Sequence, residues 1–474
     1  MFPLPEVPLP SAVQLDRARA ELLRDLGSRV LTGDDEVESY RRDDSGIDGR
    51  LPCAVVLVES AQDLITALTV AERTGVPITP RAGGSGRTGG AVPVAGGIVL
   101  ATQGYDDLVD FDRQEGRVVV QPGMNLEALH RLVEAEGWFY PPDPNSAALC
   151  CLGGNVAENA AGPRAFKYGP TRNYVLGVDA YLPGGQRFFA GRRTRKGVTG
   201  YDVLGLLVGS EGTLAAFGEI VLSLVPKPES VMTLLGLFRT SADSARAVQE
   251  VVSQRLLPRC LEFLDGTTLD VMRQSGVALR PDAGSLLIVE IDGDAASCEA
   301  QAQRVGEALD AAGALEVSVA TSEDARKRLW QSRKQMSHAV RTRSRHKISE
   351  DVVVPRARLL ELLEEVRIIG ETERVETLCY GHAGDGNLHV NFLWNDADDE
   401  PRVTSGVRRL FESTVRLGGT LSGEHGIGIL KAPYLPLEQS QELIELQRRL
   451  KAAFDPRGLL NPGKVLPPGG HGPC

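Results

Sequence analysis

Pro80-Arg81-Ala82-Gly83-Gly84-Ser85-Gly86-Arg87-Thr88-Gly89-Gly90 is the stretch whose conformation separates one fold from another in this chain. Within it, Gly84-Ser85-Gly86-Arg87-Thr88-Gly89 matches G-x-G-x-x-G letter for letter. A Rossmann-type reading requires a helix to start inside the loop, so that its N-terminus faces a pyrophosphate. The residues that follow, Gly90-Ala91-Val92-Pro93-Val94-Ala95-Gly96-Gly97, cannot begin one. A non-helical nest fits better, because consecutive small residues turn successive backbone N–H groups toward one anion. The plain alternative is a glycine-rich surface loop.

Three further segments bear on that choice. Cys151-Leu152-Gly153-Gly154-Asn155-Val156-Ala157-Glu158-Asn159-Ala160-Ala161-Gly162 is another run of small residues, with Pro141-Pro142-Asp143-Pro144 before it and Lys167-Tyr168-Gly169-Pro170-Thr171 after it. Val208-Gly209-Ser210-Glu211-Gly212-Thr213-Leu214 follows. Several glycine-rich segments in one domain imply a backbone that lies close along an extended ligand.

Working outward, residues 11–48 read as helical and charged. Cys53 to Val58 reads as a strand, and Ser60-Ala61-Gln62-Asp63 opens a capped helix carrying Leu64, Ile65 and Leu68. Pro77-Ile78-Thr79-Pro80 is a short extended run into the loop. Val118-Val119-Val120 is a strand, and Asn125 caps a helix with Leu126, Leu129, Leu132 and Val133. Pro226-Lys227-Pro228 is a natural boundary. Beyond it, strands at Thr233–Phe238 and Leu286–Ile291 alternate with helices at Ser241–Arg255 and Cys298–Ala312. Helices are also expected over Glu323–Thr342, Arg356–Val366 and Leu437–Phe454.

Composition sets outer limits. The 474 residues suffice for two or three domains, and 42% apolar with 24% charged residues is ordinary for a globular chain. A net charge of -11 argues against nucleic acid as a partner, while leaving room for a local basic pocket. No apolar run approaches the ~20 residues of a membrane span, and Met1-Phe2-Pro3-Leu4-Pro5 lacks the features of a signal peptide. The seven cysteines include no C-x-x-C, which supports neither an iron–sulfur cluster nor a cysteine zinc site. A cytoplasmic location is expected.

A second constellation carries chemistry. Gly381-His382-Ala383-Gly384-Asp385-Gly386-Asn387-Leu388-His389-Val390-Asn391 sets two imidazoles and a carboxamide around a glycine turn, and Ser422-Gly423-Glu424-His425-Gly426 comes later. In an unbroken strand His382 and His389 would face opposite sides. A turn at Gly384-Asp385-Gly386 can fold two short strands back so that the rings converge. Two imidazoles and one carboxylate suit a divalent metal with an open position, with a third histidine beside it for proton transfer. The bland reading makes each histidine an ordinary hydrogen-bonded residue. Three of only seven histidines in two glycine-flanked segments favour a site. A metal together with a nucleotide cofactor points to an oxidoreductase.

Taken in order, these segments resemble the FAD-binding domain of the vanillyl-alcohol oxidase superfamily. The chain from about 45 to 467 resembles its 2-hydroxyacid branch, the glycolate oxidase and D-lactate dehydrogenase family. The resemblance implies an α+β chain in several parts. These are an N-terminal helical segment (1–48), a two-part FAD-binding domain (49–226), an α+β cap or substrate domain (227–415), a C-terminal helical segment returning to the FAD domain (416–466) and a disordered tail (467–474). It implies that Arg81, Ala82, Gly83, Gly84, Ser85, Gly86, Arg87 and Thr88 hold the FAD pyrophosphate. The rest of the cofactor is lined by Pro142 and Asp143, Gly153 to Asn155, Gly162, Tyr168 and Gly169, Glu211 to Thr213, Ile220 and Asn461. The family pattern G-S-E-G-T-L-G-I is broken here by Ala215-Ala216-Phe217, near the adenine end. Relatives with covalent FAD often carry a histidine in the glycine loop. Ser85 stands there instead, implying non-covalent FAD.

The same resemblance implies that His382, His389 and Glu424 bind a divalent metal, that His425 is the base and that Asn391 contacts substrate. It assigns the substrate carboxylate to Arg333 and Lys347, and aligns Ser337 with a family threonine. A guanidinium suits that task, although the basic run of Arg341 and Arg343 reads equally as a solvated helix end. Asp351 and Asp385 read as structural. Zinc suits the ligand set, with manganese and iron open. The implied reaction is hydride transfer from a D-2-hydroxy acid to FAD. Electrons then leave to an external acceptor (a quinone, a cytochrome or an electron-transfer flavoprotein), compatible with peripheral association at the inner face of a membrane. Alternatives are a non-catalytic FAD-binding subunit of a larger complex, an oxygen-using oxidase, and an NAD-dependent enzyme. Glycolate, D-lactate and D-2-hydroxyglutarate all present the required carboxylate and hydroxyl.

Overall fold

The structure is a computed structural model that describes residues 3–320, 322, 324–327, 329–330, 340 and 343–468. The chain divides into two compact units. One comprises residues 1–160, 170–227 and 424–474, and the other 161–169 and 228–423.

In the first unit, Ser11 opens the helix Ala12–Leu26 with a capping box to Gln14, and Gly27 at φ 58° ends it. The helix expected through residue 48 therefore stops at Leu26, and only short pieces such as Val30–Leu31 and Asp34–Val37 follow. Ala54–Leu57 pairs in parallel with Ile98–Ala101, which pairs in parallel with Ile78–Arg81. Between the first and last of these, Ala61–Thr74 starts on Ser60 and closes on Gly75 in the left-handed region. Its Leu64, Ala67, Leu68 and Ala71 are buried in one core with Val56, Ile78, Ile98 and Leu100. Ala54–Leu57 and Ile98–Ala101 read as continuous apolar runs because both faces are covered.

Loop residues 82–97 contain no helix, as the glycines and Pro93 require. A second, five-stranded antiparallel sheet runs Leu108–Asp112, Arg117–Val120, Ala216–Ser223, Val175–Tyr181, Arg187–Gly191. After the helix Gln441–Phe454, the chain returns to the first sheet. Ile78 N donates to Leu459 O and Asn461 N donates to Ile78 O, both at 2.8 Å. This binds the C-terminal segment along the strand that feeds the glycine loop. Within the small-residue run near 152, Leu152–Glu158 is a helix, ended by Asn159 at φ 53°.

The second unit is built on one antiparallel sheet of seven strands in the order Glu316–Val319, Ser230–Phe238, Ser285–Gly293, Cys260–Asp265, Glu376–His382, Asn387–Trp394, His346–Val353. Ser241–Ser253 and Ala295–Ala311 begin on Thr240 and Asp294, whose side chains accept backbone N–H groups. The helix expected at 356–366 runs Leu359–Glu373 and closes on Arg374 at φ 54°. Arg333 and Ser337, on the helix expected over 323–342, lie outside the described residues.

Candidate functional site

The glycine loop is shaped by close backbone approach. A Cβ at Gly83 would lie 2.3 Å from the carbonyl oxygen of Leu149, and one at Gly153 would lie 2.7 Å from Cβ of Pro122. Gly84 has φ 67°, and a Cβ there would meet the Arg81 guanidinium at 2.2 Å. One at Gly154 would stand 3.6 Å from Cβ of Ala82, so the loop passes beside the first turn of Leu152–Glu158, in which Asn155 is buried. This cradle of small residues next to a loop of consecutive amides fits a diphosphate ligand. Gly83→Val is expected to abolish stoichiometric FAD retention on purification, measured by the flavin-to-protein absorbance ratio. A wild-type ratio would contradict the close-approach account.

Other residues expected on the cofactor have side chains engaged with the protein itself. Glu211, at φ 51°, accepts from Ile427 N and Gly428 N, each at 2.7 Å. Thr88 Oγ1 donates to His425 O at 3.1 Å, and Thr88 O accepts from Ile429 N at 2.7 Å. Asn461 Nδ2 donates to Gly90 O at 3.0 Å and to Glu211 O at 2.8 Å, while its Oδ1 accepts from Lys464. These three side chains fasten the glycine loop, the Glu211 loop and the segment after Glu424 to one another. Thr213 Oγ1 donates to Ser210 O at 2.7 Å, and Ile220 is a core residue paired with Val120 and Val178.

Arg81 Nη1 donates to Arg42 O at 2.6 Å, and its Cζ lies 5.6 Å from the centre of the Tyr40 ring. Arg87 stands 3.4 Å from Asp44, and the Pro142 carbonyl accepts from His130 Nε2 at 3.0 Å. Gly212, at φ 66°, backs onto Pro80, where a Cβ would lie 3.4 Å from its ring. Asp143 and Ser85 are half-buried. Burial pushes the Glu211 carboxyl up. Burial also pushes Lys464 down to about 7, against the opposing pull of Asp43, Glu211 and Glu158.

Gly162, Tyr168 and Gly169 fall in the second unit rather than with the rest of the glycine segments. Tyr168 Oη donates to Asp292 Oδ2 at 2.7 Å, and Lys167 pairs with the same carboxylate. Arg259 lies between Glu290 and Asp292, at 3.2 and 3.5 Å. This buried ionic group holds residues 161–169 on the strand Ser285–Gly293. Trp330 Nε1 donates to Glu290 at 2.7 Å.

His382 and His389 converge by the route the glycine turn allows. Glu376–His382 and Asn387–Trp394 form a hairpin in which His382 faces Asn387 and Tyr380 faces His389. His382 and His389 are thus diagonal neighbours on one face of the sheet. Their ring centroids lie 5.2 Å apart at 87°, and they are only 3% and 4% exposed. Gly386 closes the turn at φ 75°, where a Cβ would strike the Val354 carbonyl at 2.0 Å.

Register extends that face across the sheet. Asn391 pairs with Ser349, His389 with Asp351 and Leu393 with Lys347, which sets Lys347 and Asn391 on the same side as the histidines. Asn391 Nδ2 donates to His389 O at 3.0 Å. On the other flank Glu262 faces His382 directly, and its carboxylate binds His382 Nδ1. Glu262 escapes sequence reading. The available signal is an acid set between apolar neighbours in Cys260-Leu261-Glu262-Phe263-Leu264, a strand that the sequence pattern alone does not announce.

Asp351 accepts from Gly423 N at 2.8 Å and Ser422 Oγ at 3.1 Å. The second unit ends there, and Glu424 and His425 open the last segment of the first. His425 Nε2 lies 3.9 Å from Glu424 Oε1. Chemically, the sheet face offers two imidazole ligands, one of them already oriented by a carboxylate, beside an amide and a cation suited to an anionic substrate.

Comparison with known proteins gives this arrangement a context. A family model described as FAD linked oxidases, C-terminal domain, matches residues 227–465, and an FAD binding domain model matches residues 52–190. The glycolate oxidase subunit GlcD of Bacillus subtilis is 36% identical over 419 residues, covering 88% of this chain and 89% of the relative. A D-lactate dehydrogenase of Archaeoglobus fulgidus is 34% identical, covering 87% and 91%. Among solved structures, 4-ethylphenol oxidase from Gulosibacter chungangensis superposes with a TM-score of 0.79 at 17% identity, covering 98% of this chain and 99% of that one. p-Cresol methylhydroxylase also reaches 0.79, at 13% identity, covering 96% and 98%. The fold is thus the two-domain FAD-binding fold that these enzymes share, as the sequence resemblance implied.

Proposed function

The chain belongs to the FAD-linked oxidase family and is an FAD-dependent oxidoreductase; from that premise we propose that it oxidises a D-2-hydroxy acid, D-lactate or glycolate or a near relative, to the 2-oxo acid. The names of the relatives, glycolate oxidase subunit and D-lactate dehydrogenase, support the substrate class. The observation that carries the reading is the buried His382–His389 pair sharing one sheet face with Lys347 and Asn391.

In this reading, Lys347 and Arg333 hold the substrate carboxylate, and Ser337 and Asn391 help to orient it. His425 takes the hydroxyl proton. His382, His389 and Glu424 hold a divalent ion, with zinc the best match to two histidines and one carboxylate. The donor set fits such an ion, because His382 is bound at Nδ1 and so presents Nε2. When bound, the ion lowers the pKa of the substrate hydroxyl. FAD, held non-covalently over the glycine cradle, supplies the acceptor for the hydride leaving C2. An external acceptor (a quinone, a cytochrome or an electron-transfer flavoprotein) would take the electrons from the flavin, and a cytoplasmic location is compatible with peripheral association at the inner face of a membrane. Among the described residues no helix is long and apolar enough to cross a membrane. A second reading draws on the printed name of the GlcD relatives, which are called subunits. It makes the chain one component of a larger oxidoreductase.

The test is an anaerobic absorbance spectrum of the purified protein before and after adding a panel of D- and L-2-hydroxy acids. The expected result is bleaching of the flavin band by one or a few D-acids, suppressed after treatment with a chelator that leaves the band itself intact. A flavin band that no 2-hydroxy acid bleaches would overturn the substrate class. Bleaching that survives complete metal removal would overturn the metal's part in it.

A further inference from the structure

We propose that Glu262 is a positioning residue for His382: it fixes that imidazole with Nδ1 protonated and Nε2 turned toward the divalent ion, and completes the charge balance of the site. The inference rests on the metal reading above and deepens it. Glu262 has no exposed surface, and it lies directly across from His382 on the neighbouring strand Cys260–Asp265. An ionised carboxylate accepts hydrogen bonds and donates none, so with Glu262 ionised the Nδ1 it binds carries the proton and Nε2 is the nitrogen left to face the ion. The 87° angle between the two histidine rings is thereby held from behind, on the side of His382 away from its ligating nitrogen.

Charge gives a second reason for a carboxylate at this position. Two neutral imidazoles and Glu424 would leave a bound dication with one net positive charge in a buried site. The Glu262 anion brings the sum to zero, which relieves the burial of that charge. Strand pairing does not require the side-chain pair. The backbone ladder already joins Glu262, Phe263 and Leu264 to His382, Gly381 and Tyr380. A carboxylate enclosed between the apolar residues of this strand is therefore accounted for by the imidazole it orients rather than by sheet stability.

The experiment uses the FAD-loaded full chain, stripped of metal by a chelator and titrated with Co2+. Binding is read from the visible absorption of the ion, and the FAD content is recorded in parallel. Wild type is expected to take up one Co2+ per chain. Glu262→Gln is expected to keep its FAD, to bind Co2+ roughly 10–100-fold more weakly, and to shift the absorption band because the imidazole is less firmly oriented. Wild-type affinity with an unchanged band in that variant would overturn the proposal. Should the glutamine variant not fold, Glu262→Asp keeps the charge but shortens its reach, and it too must weaken Co2+ binding. Wild-type affinity there overturns the proposal equally. A wild-type protein that takes up no Co2+ defeats the metal reading and this inference together. Metal uptake by wild type with no effect at Glu262 defeats this inference alone.

Discussion

The expected result of replacing His425 with alanine is a protein that still carries FAD but whose flavin is reduced by 2-hydroxy acids some 10²–10⁴-fold more slowly, the span expected for loss of a general base. His425 is held through its backbone, by the Thr88 hydroxyl on its carbonyl and by Glu211 on the amides two and three residues further along. Removing the imidazole leaves all three bonds in place, so the segment should keep its course and the cofactor its cradle. Anaerobic stopped-flow mixing with the best D-acid measures the loss directly. Reduction at the wild-type rate would remove His425 from the mechanism. A loss of FAD would show that the imidazole holds the fold rather than the proton.

Glu211→Ala is expected to have the largest effect on stability. The carboxylate caps two buried amides, those of Ile427 and Gly428, and Lys464 and Lys431 feel its charge. Removing one partner of a buried charge group costs about 3–5 kcal/mol, since the opposite charge stays behind without compensation. Lys464, already pushed down to about 7 by burial, would lose one of the anions that keep it protonated. Without Glu211 the segment carrying His425 loses two of its buried backbone ties and keeps those through Thr88 and Val465. The thermal unfolding midpoint should fall sharply, with FAD retention falling alongside. Glu211→Gln, which keeps one accepting oxygen, should lie between the alanine variant and wild type. Wild-type stability in the alanine variant would contradict the clamp, and a lost cofactor at unchanged stability would support direct cofactor contact by Glu211.

The Glu211 segment shows how a motif legible as a place can make contacts that only the fold reveals. Gly209-Ser210-Glu211-Gly212-Thr213 was legible as one of several close-packed segments, because runs of glycine announce tight backbone approach. That the glutamate grips residues 427 and 428 was not legible, since more than two hundred positions separate them. Asn461 behaves in the same way: its amide bridges Gly90 and Glu211, a junction between three distant stretches of chain. The helix Leu152–Glu158 was hidden for a different reason. Two glycines carry a poor helix propensity, and at Gly153 the close approach of Pro122, at 2.7 Å from where a Cβ would lie, explains the choice.

By itself the sequence determined what local sterics decide. The loop after Ile78–Arg81 is not a helix because glycines and Pro93 forbid one, and His382 and His389 converge because Gly386 permits a left-handed turn between two short strands. It determined the family as well, since ordered glycine segments and a His-x6-His spacing survive in the one-dimensional record. Only the tertiary structure decided that Glu262 stands behind His382, that Glu211 holds the His425 segment, and that residues 161–169 join the second unit's sheet through Asp292. Local conformation follows from the residues a few places away. A buried carboxylate, by contrast, must find hydrogen-bond donors wherever the fold brings them, and strand order rather than sequence distance settles which donors those are.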